Sequence, residues 1–226
     1  MGYGIRIKVW GERALFTRPE MKVERVSYDV MTPSAARGVI EAIYYKPAIR
    51  WVIDAITVLN PIRFENIRRN ELLGTMNIND VKAAAEGRLD TLLFQNTKEC
   101  IVQRSSLLLK DVAYVIEAHF ELTDRAGETD TVEKHYNIAL RRIRKGQYFS
   151  CPYLGCREFP ANFCLSEGKE ESCYAGETRD LGYMLWDMDY QKGAEPIFWR
   201  AVMCSGRIEV PDLLKGGDID DTKGVM

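Results

Sequence analysis

AYVIEAHFEL at residues 113–122, followed by TDTVEKHYNIALRRIRK at 129–145, decides how the rest of the chain is read. In the first segment Tyr114, Ile116, Ala118, Phe120 and Leu122 make one face, while Val115, Glu117, His119 and Glu121 make the other. That period of two belongs to a strand with one buried side. The second segment repeats every 3.6 residues, with Val132, Tyr136, Ala139, Leu140 and Ile143 in one apolar stripe. Gly146 follows as its stop.

Upstream, Ile5, Ile7 and Val9 alternate with Arg6, Lys8 and Trp10, so a half-buried first strand is expected. Thr32-Pro33 opens a helix, with a capping hydroxyl before a proline in the first turn. It runs to about Tyr45 and stops at Lys46-Pro47, because proline disfavours a helical residue before it. Arg50 to Leu59 reads as a strand and Pro61 to Ile67 as an edge-like one. The order strand, helix, strand, strand, helix, strand is the ferredoxin-like plan shared with RNA-recognition modules. The expected fold class is therefore α+β: a ferredoxin-like domain over 1–150, then a smaller antiparallel β-sheet domain over 151–210. Residues 70–103 are expected to be a loop insertion with a short helix near 81–86. Leu181–Tyr190 and Pro196–Val210 read as strands, the latter with a hairpin through Ser205-Gly206. The stretch 211–226 is read as a flexible acidic tail.

Hydrophobic residues make up 46% of the 226, enough for a real core. The formal net charge of −2 conceals a split: residues 1–69 carry twelve Lys/Arg against seven Asp/Glu. A local basic surface on the N-terminal part is allowed, and wholesale coating of a polyanion is not. No secretory leader and no apolar run of about 20 residues is read, so a soluble, cytoplasmic protein is expected. Six cysteines occur, but four, seven and eight residues intervene between successive ones from Cys151 to Cys173, unlike paired zinc ligands. Neither a metal nor a cofactor is expected.

On the helix at 129–145, His135 falls about 80° from the apolar stripe by the 100° rotation per residue, in line with Arg142. Lys134, Arg141 and Lys145 lie further round. A histidine near neutral pKa beside a basic ridge suits RNA cleavage by the substrate's own 2′-hydroxyl. A proton leaves that hydroxyl, another reaches the departing 5′-oxygen, and a lysine holds the charge gathered on the phosphorane. A packed surface histidine with a basic C-terminal turn answering the helix dipole explains the same residues. Both readings stand on composition alone. His119, between Glu117 and Glu121, suits a structural hydrogen bond. Arg6, Lys8 and Trp10, and Arg68-Arg69, offer cations and a ring to a phosphate chain.

Several blocks together carry a resemblance: Arg18-Pro19-Glu20 through Ser27-Tyr28, Pro33 to Gly38, and Ile43-Tyr44-Tyr45-Lys46-Pro47. Glu117 to Glu121, Glu133-Lys134-His135-Tyr136 and Leu154 to Pro160 add to it. With these the chain resembles the CRISPR-associated fifth-family subunit of type I-C systems, the d/c or Dvulg subtype of the repeat-associated mysterious protein superfamily. The resemblance implies a metal-independent endoribonuclease that cuts precursor CRISPR RNA at the repeat, leaving a 2′,3′-cyclic phosphate and a 5′-hydroxyl. It also implies that the protein stays on the 5′ handle of the mature guide inside Cascade, beside the backbone and large subunits, and meets target DNA only through the complex. The family's tyrosine, lysine and histidine fall on Tyr44, Lys134 and His135. Many relatives carry tryptophan at Tyr45, so two adjacent tyrosines compete for one role. Lys46, Arg68, Arg69, Arg142, Lys145 and Arg157 are the expected RNA contacts, Arg157 in place of the superfamily's glycine-rich loop. A subunit that caps the 5′ handle without cutting is the alternative, and a DNA-directed role a third.

Overall fold

Strand β1 (Gly4–Ala14) buries Ile5, Ile7 and Val9 and pairs antiparallel with β5 (Ile101–Leu122), Gly4 opposite His119 and Ala14 opposite Leu109. This is a computed structural model, and it describes residues 3–21, 24–88, 93–94, 96–189 and 193–213. On the far side of β5 runs β3 (Ile49–Val58), with Trp51 opposite Phe120. On the far side of β1 runs β6 (Asn162–Leu165), with Ile7 opposite Leu165. Beyond β3 come β9 (Arg207–Glu209), β8 (Glu195–Cys204) and β7 (Thr178–Asp189), giving the order β6-β1-β5-β3-β9-β8-β7. Those pairings are antiparallel; the short β2 (Arg25–Val26) joins β5 in parallel. The fold is mostly antiparallel sheet with few helices, and strands from before and after residue 150 share one sheet.

Helix α1 (Pro33–Ile43) begins where the Thr32 hydroxyl accepts the Ala35 N–H and Pro33 fills a position needing no donor. It buries Ala36, Val39, Ile40 and Ile43 against β3 and β7. Arg37 on its outer flank pairs with both oxygens of the buried Asp187 on β7, tying helix to strand. Helix α4 (Val132–Arg144) begins with Thr131 accepting the Lys134 N–H and places Arg141, Arg142 and Arg144 in its last turn, where they complement the dipole. It lies on β6 and touches α1, and the backbone N–H groups of Phe149 and Ser150 return to the Ala42 carbonyl. Among the described residues no helix is long and apolar enough to cross a membrane.

The stretch read as a loop is more ordered than the pattern suggests. β4 (Phe64–Leu72) pairs with β5 over its full length, Leu72 opposite Ile101, and α2 (Ile78–Ala85) and α3 (Thr97–Cys100) lie between them. This ribbon is half exposed along β4, so no apolar face marks it as strand in the sequence. At the other terminus Pro211 accepts the Trp186 indole N–H and Leu213 packs on the core; residues 214–226 of the expected tail lie outside the described residues.

The 154–160 loop is stitched to the end of β1 by Leu15 N–H to the Leu154 carbonyl at 3.0 Å. Gly155 sits there at φ +78°, and a Cβ on it would stand 2.1 Å from the Leu15 carbonyl oxygen. Gly87 has a similar φ of +68° with open space around it. Gly155→Ala is therefore expected to cost about 2–4 kcal/mol and lower the melting temperature by 5 °C or more, roughly. Gly87→Ala should cost only the backbone strain of about 1–2 kcal/mol; equal shifts in thermal unfolding would contradict this packing.

Candidate active site

Where α1 ends, Tyr44 takes an extended conformation (φ −150°, ψ 116°) and turns its side chain into the protein. Its hydroxyl lies 2.7 Å from Nδ1 of His135 on α4, and each residue is only 2% exposed. Three further residues hold this corner. The Trp51 indole donates to the Tyr44 carbonyl at 2.8 Å. Arg142 donates to the Ile43 carbonyl at 2.7 Å and lays its guanidinium 5.2 Å from the Tyr44 ring centre. Phe120 meets the imidazole edge-on. Burial pushes the Tyr44 phenol above its ordinary pKa, against the pull of Arg142. The phenol thus keeps its proton, and with that hydroxyl as donor to Nδ1 the imidazole would carry its own proton on Nε2.

Nε2 faces Asp130. Its Oδ1 stands 3.3 Å from Nε2, at an angle that makes no hydrogen bond, and 3.0 Å from Lys134 Nζ. The second oxygen accepts the Gly127 N–H at 3.1 Å, and Lys134 Nζ also reaches the Thr129 carbonyl. The Lys134 hydrogen bond, with that N–H, holds the Asp130 carboxyl below the usual carboxylate range. It is an anion at every pH where an imidazole titrates. One carboxylate therefore links the ammonium to the imidazole that the phenol already touches, and phenol, imidazole and ammonium stand at one place.

His135 proves to be part of the buried stripe, with Ala139 and Ile143 one and two turns on, rather than at its edge. The apolar pattern could not show this, since a histidine enters the stripe only because Tyr44 supplies a partner. Asp130 was missed altogether. Its only sequence signal is its place four residues before Lys134, the spacing of a helical ion pair, but it precedes the cap and reads as a turn residue. Tyr45, next along the extended chain, points the opposite way and is 52% exposed. Lys46, two residues past Tyr44, and Lys145, at the far end of α4, are exposed, whereas Arg142 turns inward to Ile43 and Tyr44.

Arg68, Arg69 and Arg157 lie elsewhere. Arg69 on β4 is opposite Arg104 of β5, pairs with Glu158 and stacks on Phe159, in the loop that carries Arg157. Phe120, beside His135, is sixteen residues further along β5; at about 3.3 Å per residue the two ends are up to ~50 Å apart. His119 bonds Asp54 at 2.7 Å on the opposite face of the sheet. Among the described residues no group of three or more His, Cys, Asp or Glu could hold a metal ion. Tyr44→Phe should leave buried Nδ1 without a partner and destabilise the protein by about 1–3 kcal/mol in denaturant unfolding; an unchanged midpoint would mean the phenol does not hold His135.

Residues 4–211 match the family model described as CRISPR-associated protein (Cas_Cas5). The chain is 48% identical over 216 residues to a CRISPR pre-crRNA endoribonuclease Cas5d of Mannheimia succiniciproducens, covering 93% of this chain and 96% of that one. It is 39% identical over 226 residues to a CRISPR pre-crRNA endoribonuclease Cas5d of Thermus thermophilus, with 92% and 91% covered. A solved structure of a CRISPR-associated protein superposes with a TM-score of 0.67 at 27% identity, covering 92% of this chain and 91% of that one. With a model that spans nearly all of the described residues and two relatives matched almost end to end, the chain belongs to the Cas5d branch of the CRISPR-associated Cas5 family.

Proposed function

We propose that this chain cuts precursor CRISPR RNA within the repeat, leaving a 2′,3′-cyclic phosphate and a 5′-hydroxyl, and remains on the 5′ handle as a subunit of a type I-C Cascade. The observation that carries the reading is the Tyr44–His135 hydrogen bond with Lys134 joined to it through Asp130. The names of the relatives, both pre-crRNA endoribonucleases, support it. The ribose 2′-oxygen attacks phosphorus and the bond to O5′ breaks, so one proton leaves the 2′-hydroxyl and one reaches O5′. His135 exchanges a proton through Nε2. Lys134 stabilises the dianionic phosphorane. Tyr44 holds the imidazole in one tautomer and orientation. Since Nε2 is buried, RNA entry requires the turn at 127–131 to give way. The scissile phosphate then takes the position of the Asp130 carboxylate, between ammonium and imidazole.

The sheet supports a finer reading of the fold. β1-α1-β3 and β5-α4-β6 are two interleaved split β-α-β units, which favours a ferredoxin-like half completed by β6, with β7, β8 and β9 as the smaller antiparallel part. Arg68, Arg69 and Arg157 would contact the guide at a distance from the cut, Lys46 and Lys145 close to it. The backbone and large Cascade subunits are the proposed protein neighbours, with target DNA reached through them.

A second reading, a subunit that holds the handle without cutting, draws on the burial of His135. Incubation with the cognate repeat RNA in EDTA separates the two. Cleavage should persist, and a deoxy substitution at the scissile nucleotide should abolish it; intact RNA despite tight binding would leave only the cap. His135→Ala should lower the cleavage rate by about 100-fold or more while RNA affinity holds. A parallel collapse of affinity would make His135 a folding or binding residue.

A further inference from the structure

The two adjacent tyrosines divide their work, and the exposed one faces a groove that no part of the cleavage scheme uses. This groove is lined by Glu41, Tyr45, Pro47, Ile49, Arg50 and the start of the 123–131 turn, and encloses about 370 Å³. It is built rather than incidental. The Thr123 hydroxyl donates to the Pro47 carbonyl at 2.6 Å and its N–H to the Ala48 carbonyl at 3.0 Å, so the far wall is pinned to the chain that follows Tyr45. Pro47 gives apolar surface over the buried Ile49, and Tyr45 is more than half exposed. The groove's charges are balanced rather than basic: Glu41 and Asp124 line it with Arg125, and Arg50 is already bonded to Glu121 at 2.7 Å. The carboxylate of Asp124 and the guanidinium of Arg125 suit the donor and acceptor edge of a base, while the Thr123 hydroxyl is spent on the Pro47 carbonyl.

We infer that this groove is a nucleobase subsite in which Tyr45 stacks on the base of a nucleotide flanking the scissile linkage. The inference rests on the cleavage site proposed above. Tyr44 and Tyr45 are consecutive in an extended chain, so their side chains leave opposite sides of it, one to His135 and one to the groove. The wall that ends the groove also begins the turn that ends at Asp130, which places base and phosphate seats on one short stretch of chain. The competition between the two tyrosines thus resolves by exposure: the buried phenol orients the imidazole, and the open ring holds the base. Stacking needs the ring and not the hydroxyl.

The test uses the full chain and a repeat RNA with 2-aminopurine on either side of the scissile linkage, blocked from cutting by a 2′-deoxy substitution. Binding should quench the probe at one of the two positions with wild type and with Tyr45→Phe. Tyr45→Ala should lose the quench and bind about 5- to 100-fold more weakly. On unmodified RNA its kcat/KM should fall by a similar factor, while Tyr45→Phe cuts within about twofold of wild type. Quenching, affinity and cutting by Tyr45→Ala equal to wild type would overturn the subsite. Should wild type fail to cut while the quench still depends on the ring at 45, the cleavage reading falls and the base subsite stands.

Discussion

A buried hydrogen bond between a phenol and an imidazole is the constraint around which this molecule is arranged. Tyr44 and His135 come from helices nearly a hundred residues apart, and neither side chain could be hidden without the other. Their meeting requires α1 to end at Ile43, the chain to turn extended, and α4 to lie within reach of that end. Trp51, Phe120 and Arg142 each hold one part of the corner, two from strands and one from α4 itself. The phenol's raised pKa follows from the same burial. It keeps the phenol protonated against the His135 imidazole.

Asp130 gives this corner its electrostatic character. A lone ammonium and an imidazole near it would repel once the imidazole is protonated. The carboxylate between them removes that conflict in the free protein. The basic residues of β4 and the 154–160 loop make their contacts elsewhere, Arg69 with Glu158 and Phe159. β5, at 22 residues, is the element that spans both ends.

Much of this was legible beforehand where a residue's environment repeats with the period of its element. The alternation in Ile5 to Trp10 and in Tyr114 to Leu122, the Thr32-Pro33 start and the Ser205-Gly206 turn each report a local choice, and each stands in the structure. Only the start of β4 announced itself, in the edge-like strand read at Pro61 to Ile67; the rest of β4 buries no residue, and β5 before Ser106 buries none either, so no apolar face marks them. Tyr44, Lys134 and His135 came from family likeness. Their residue types fit the chemistry, but only coordinates bring them together. Asp130 and the Tyr45 groove were illegible for the same reason. Their roles depend on what lies opposite in space: an ammonium and an imidazole for one, the Thr123–Arg125 wall for the other. Arg142 reads as surface cation in sequence and is instead committed to a carbonyl and a ring.

The chemistry of the newly made RNA ends bears most directly on the claim that these residues act on a single ribose–phosphate linkage. Mass spectrometry of fragments made by the purified chain should find a 2′,3′-cyclic phosphate on the upstream piece and a 5′-hydroxyl on the downstream one. A 3′-hydroxyl with a 5′-phosphate would mean that water attacks from the other side, and that the Tyr44–His135–Lys134 corner is not where the cut is made.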